Sequence, residues 1–161
     1  MQGSNGEATL VMAGVVVALV VRRQLRTRPV RRNGSLVAPV VLAVLGVVAI
    51  GFGVASVVRD RSLTVLPLLL LLASLAVAAG FGVARARTVR VWRDPQDGVM
   101  RKGTPVTSAL WVASAATHLG LGLWIDHAEG VGLLGAVSLY AYLAIGLGTQ
   151  NLLVRGRAAE L

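Results

Sequence analysis

The chain has 161 residues, of which 55% are apolar and only 14% charged, and its formal charge is +9. So little polar surface cannot clothe a water-facing domain, and the absence of cysteine excludes disulfides, thiolate metal sites and any thiol relay. Excess arginine would suit nucleic acid, but these arginines flank apolar runs and line no soluble face, so no nucleic-acid partner is expected.

Five apolar runs follow one another, and in a bilayer every backbone group must bond internally, which forces helices. The predicted fold is therefore an all-α membrane protein, one polytopic domain over 1–161, with spans at about 6–21, 35–58, 63–84, 104–124 and 131–154. The first run, Ala8–Val21, holds 14 residues, or about 21 Å of helix against a hydrocarbon core of about 30 Å. A start near Gly3, with Glu7 in the outer headgroups and Arg22 and Arg23 snorkelling, completes the crossing. Leu10–Val21 is apolar all round, which argues against an interfacial helix. Met1–Glu7 carries no positive charge, so the segment reads as a retained span with its amino end outside, and not as a cleaved signal.

The remaining runs, Ser35–Val58, Leu63–Ala84, Thr104–Trp124 and Val131–Val154, each exceed the roughly 20 residues a spanning helix needs. Pro39, Pro67 and Pro105 stand near span starts, where a missing N–H costs nothing. Thr104 is the natural cap for a helix whose first residue is Pro105. Between the third and fourth spans, Thr88–Asp94 alternates with β-branched residues, Pro95–Gly98 is a strong turn and Val99–Lys102 returns. This predicts a short hairpin. Two strands alone are marginal in water, so the hairpin is expected to rest on the membrane surface or on the helix ends, with Trp92 at the interface.

Basic residues fall on alternate gaps. Arg22, Arg23, Arg26, Arg28, Arg31 and Arg32 follow the first run, and Arg85, Arg87, Arg90, Arg93, Arg101 and Lys102 follow the third. With Arg155 and Arg157 in the tail, 14 of the 16 basic residues share one side, and only Arg59 and Arg61 oppose them. The positive-inside bias sets the amino terminus outside, and the hairpin and carboxyl terminus in the cytoplasm. The twelve residues of the two clusters are the expected contacts to anionic lipid, at about 1 kcal/mol each near a charged leaflet.

Two segments carry a resemblance: Arg22-Arg-Gln-Leu-Arg-Thr-Arg-Pro-Val-Arg31, and Val91-Trp-Arg-Asp94 through Asp97-Gly98 to Arg101-Lys-Gly-Thr104. With the span pattern they resemble the CcdC-like family of small bacterial membrane proteins, named from loci of cytochrome c biogenesis. The resemblance implies a multi-pass protein of the bacterial inner membrane and carries over no catalytic residues. Without Cys-x-x-Cys-His, direct haem attachment by this chain is not expected.

Within the spans, His118 is the ionisable residue that stands out, and such residues are expensive in lipid. Thr107, Trp111, Ser114 and His118 fall on one helical stripe, opposite Ala109, Val112, Ala116, Leu119 and Leu123. Gly135, Ser138, Tyr142 and Thr149 form a stripe on the last span, so His118 is expected to meet Ser138 or Tyr142. The pairing serves either as helix-to-helix glue or as a proton or ligand site. Asp126-His127-x-Glu129 offers competent divalent ligands, but a solvated acidic loop explains it equally, and neither a metal nor a cofactor is assigned. Gly51-Phe-Gly-Val-Ala55 recurs as Gly80-Phe-Gly-Val-Ala84, which reads as small-residue packing or as the weak trace of a transporter repeat. The expected role is non-catalytic: accessory to the assembly or stability of another membrane complex. The rivals are a small transporter or permeation subunit and a membrane enzyme or proton relay centred on His118.

Overall fold

The computed structural model describes residues 22, 24–30, 36–60, 65–129 and 134–161, apart from the side chains of a few residues at helix ends. Four helices carry the architecture: α1 (Val37–Asp60), α2 (Val65–Thr88), α3 (Pro105–Glu129) and α4 (Leu134–Ala159). Three short strands, β1 (Arg28–Pro29), β2 (Arg90–Asp94) and β3 (Gly98–Lys102), form one antiparallel sheet in the order β1-β3-β2.

Pro39 and Pro67 are third residues of their helices and Pro105 is a first residue, so none removes an intrahelical bond. Among the described residues, three helices are long and apolar enough to cross a membrane, over Val37–Ala55, Leu68–Thr88 and Pro105–Trp124. Each segment of 19–21 residues is about 30 Å long. Their outward faces are apolar: Val47, Phe52, Leu72, Leu119 and Leu123 are each at least 62% exposed. The buried positions, by contrast, include Ser74, Arg85, Thr107, Ser114, His118, Ser138 and Gln150. Polar groups inside and bulky apolar groups outside is the inverse of a soluble domain, and it is what lipid solvation demands.

Of the five expected spans, three are accounted for in this way. The first lies outside the described residues, and so do Arg23, Arg31 and Arg32. The fifth run is helical, as α4, but among the described residues it is not one of the three candidate spans. It packs against α1, α2 and α3. Tyr142, Gln150 and Asn151 turn toward its neighbours, while Leu139, Tyr140, Leu152 and Leu153 are exposed.

Helix ends also differ from expectation. The acidic loop expected at 125–130 is helical through Glu129 in α3. The gap expected to begin at Arg85 begins later, since α2 runs to Thr88, and the expected tail from Arg155 is helical to Ala159.

The helices approach closely at glycines. A Cβ built on Gly46 of α1 would lie 2.7 Å from the Ala141 backbone nitrogen of α4. One on Gly82 of α2 would lie 2.8 Å from the Gly146 carbonyl oxygen of α4. Close approach at small residues is the usual basis of helix association in lipid, where no hydrophobic force drives it.

The hairpin forms where the sequence predicts it, with a third strand added. Asp94 faces Gly98 across the three-residue turn, and the Asp94 carboxylate accepts the N–H groups of Gln96 and Asp97 at 3.0 and 3.2 Å. Gly98 closes the turn with φ +77°, a conformation that glycine adopts without strain. Two further backbone bonds flank the β1–β3 pairing. The Gly103 N–H donates to the Gln24 carbonyl and the Val30 N–H to that of Val99, each at 2.9 Å. Val89 and Val91 then pack on Ala86 of α2 and Val154 of α4.

Candidate functional site

The buried polar groups form a seam between α2, α3 and α4. At the sheet end, Thr104 caps α3. Its hydroxyl accepts the Thr107 N–H at 3.2 Å, and the Thr107 hydroxyl accepts the Thr104 N–H at 3.0 Å. This is a reciprocal capping box with threonine in the place usually held by glutamate. Thr88 of α2 donates to the Arg85 carbonyl at 2.9 Å, so its 2.8 Å contact with the Thr107 hydroxyl is donated by Thr107.

One turn deeper stands Arg85, 1% exposed. Its Nε donates to the Phe81 carbonyl at 3.2 Å, and its guanidinium carbon lies 3.9 Å from the centroid of the Trp111 ring. Gly146 makes room for it, because a Cβ there would lie 2.6 Å from Nη2. Nη1 is buried with no partner among the described residues. Desolvating an unpaired charge costs several kcal/mol, of which the ring face returns about 2 kcal/mol. Arg85 is therefore a correction to the expected set of lipid contacts, since it lies inside the bundle and no headgroup can reach it.

Further from the sheet, Tyr142 of α4 donates its hydroxyl to the Ser114 carbonyl at 3.0 Å. The Ser114 hydroxyl lies 3.0 Å from the Tyr142 hydroxyl oxygen and can donate to it. His118, 4% exposed, stacks at a tilt on Tyr142, with ring centroids 4.5 Å apart, while its Nδ1 has no partner among the described residues.

The structure thus brings together Thr107, Trp111, Ser114, His118 and Tyr142 on the inward side of their helices, with Ser138 also buried. The opposite arc from Ala109 to Leu123 is exposed throughout. Among the expected lipid contacts, Arg22, Arg26, Arg87, Arg90, Arg93 and Lys102 are exposed. Arg28 is half-buried in β1, and half-buried Arg101 donates to the Asn151 side chain at 3.1 Å. His127 is exposed, while the side chains of Asp126 and Glu129 lie outside the described residues.

Sequence reasoning placed Arg85 among the lipid contacts and missed the roles of Gly146, Gln150 and Arg157. Arg157 reaches from α4 to donate to the Ala86 and Val89 carbonyls at 2.8 and 3.0 Å, closing the carboxyl end of α2. A signal for part of this was present: Tyr142, Gly146 and Gln150 are spaced four apart, which continues the stripe through Ser138.

Together the apolar exterior, the polar seam and the spanning helices define a membrane-embedded, multi-pass helical protein. Comparison with protein-family models, with curated proteins and with solved structures gives no match.

Proposed function

We propose that this chain is a five-span, non-catalytic protein of the bacterial inner membrane that assists the assembly or stability of another membrane complex, in line with the resemblance to CcdC-like proteins and hence with cytochrome c biogenesis. The amino terminus is outside, and the sheet and carboxyl terminus are cytoplasmic. The observation that carries this reading is the closed seam. Thr88, Thr104 and Thr107 bond one another, as do Ser114 and Tyr142, the buried polar residues among the described residues include no carboxylate, and glycines of α1 and α2 bring both helices close against α4. The glycine-phenylalanine repeats add little to a transporter reading. Helices α1 and α2 run unbroken through them, Phe52 is 70% exposed, and Gly51 and Gly80 face open space. Orientation is supported by the one-sided placement of basic residues.

One observation favours a second reading, a relay centred on His118: its Nδ1 is buried without a partner among the described residues. His118→Phe keeps the ring on Tyr142 and removes the nitrogens. A variant that folds and fully supports growth phenotypes excludes the relay.

The accessory reading is tested by purifying the tagged full chain from membranes in mild detergent and identifying what accompanies it by mass spectrometry. A membrane-protein partner at fixed stoichiometry is expected. A chain that purifies alone and catalyses solute uptake in liposomes would overturn the reading.

A further inference from the structure

A cavity of about 800 Å³ opens at the sheet end, between β2 and the ends of α2 and α4. Among the described residues its wall carries four cations, Arg87, Arg90, Lys102 and Arg157, together with Trp92, and no carboxylate. Two of the cations are placed against their own interest. Arg90 and Lys102 are Cα partners in the β2–β3 ladder, and like charges directly opposite repel. Arg87 and Arg157 sit at helix carboxyl ends, where the dipole favours them, and Arg157 caps α2. No such local reason exists for the Arg90–Lys102 pair, and an anion held between them would turn the repulsion into attraction.

We propose that this groove binds the headgroup of an anionic phospholipid bearing two phosphates. Four cations against one phosphodiester would leave most of the charge uncompensated, and the cavity is far larger than a single phosphate. Lipid is favoured over a soluble phosphate because the groove lies where apolar helix faces end. Val106, in the first turn of α3, is 56% exposed, and Leu153, one turn before Arg157, is 42% exposed. Acyl chains can therefore lie on the bundle while the phosphates enter the groove, and Trp92 stands at the level that interfacial aromatics prefer. The inference deepens the proposed accessory role and depends on the proposed orientation only for which leaflet supplies the lipid. Binding in detergent has no sidedness, so failure of the orientation and failure of the groove are separable.

The test is titration of the purified full chain in neutral detergent with diphosphatidylglycerol, phosphatidylglycerol and phosphatidylcholine, read by native mass spectrometry. Tightest binding by the two-phosphate lipid is expected. In the doubly substituted Arg90→Gln, Lys102→Gln chain, affinity should fall roughly 25-fold at low salt, about fivefold per cation, whereas Arg155→Gln, outside the groove and outside both basic clusters, should leave it unchanged. If the double variant does not fold, the salt dependence of the unsubstituted chain decides. Affinity should drop steeply toward 0.1 M salt, where screening acts over about 10 Å. Equal affinity for one-phosphate and two-phosphate lipids, or salt-insensitive binding, overturns the proposal. Equally tight binding of inorganic pyrophosphate would overturn it too, by assigning the groove to a soluble ligand.

Discussion

Replacing Gly46 by alanine is a sharp test of how the bundle is held together. The added Cβ would lie 2.7 Å from the Ala141 nitrogen and 2.9 Å from its Cα. Both are backbone atoms of α4, so no side chain can swing aside, and ordinary contact needs 3.4–4 Å. The helices must therefore part by up to about 1 Å, and overpacking of this kind costs about 1–3 kcal/mol. Gly51, on the same helix, has nothing within 4 Å of its notional Cβ. There, alanine should contribute only its better helix propensity, up to about 1 kcal/mol in favour of folding. Because both substitutions carry the same propensity gain, the difference between them isolates the clash. Gly46→Ala is expected to be less stable than Gly51→Ala by about 1–3 kcal/mol, measured by denaturant or thermal unfolding of the purified chain in one detergent. Equal midpoints, or a more damaged Gly51 variant, would refute the close approach of α1 and α4.

Three further outcomes follow from named contacts. Tyr142→Phe and Ser114→Ala should each cost about 0.6–1.7 kcal/mol, and in a double-mutant cycle the two losses should fail to add because they share one interaction. Thr104→Ala should cost about 1 kcal/mol and speed amide exchange in the first turn of α3, whereas Thr104→Ser should preserve both stability and protection. Arg157→Met should free the Ala86 and Val89 carbonyls, lower stability by roughly 1–2 kcal/mol and raise hydrogen exchange at Val89–Trp92 while leaving α1 unchanged.

What the sequence revealed and what it hid have a common cause. Hydropathy reports the average environment of a segment, so α1, with valine and leucine on nearly every face, was plain. The stripe from Thr107 to His118 was also legible, because polar residues on an apolar helix have one place to go. Arg85 was misread for the same reason. Counted with Arg87 and Arg90, it looked like one more charge beyond a span, and only the path of α2 to Thr88 and the space left by Gly146 turn it inward. The central position of α4 was hidden as well, since no local pattern states how many neighbours a helix has. The hairpin was readable from Pro95–Gly98, but its third strand was not. Arg28 and Pro29 pair with Arg101 and Met100 across 70 or more intervening residues, a relation that no window of sequence contains.

The sidedness of the sheet is the central claim, and because the chain has no cysteine a single introduced thiol can report it. Gln96, at the exposed tip of the hairpin, is replaced by cysteine, and His127, exposed near the far end of α3, is replaced in a second strain. Cells are treated with a membrane-impermeant maleimide before and after permeabilisation. The account predicts that the Gln96→Cys chain is labelled only once the membrane is opened, and the His127→Cys chain in intact cells. Labelling of Gln96→Cys in intact cells, with His127→Cys protected, would contradict it.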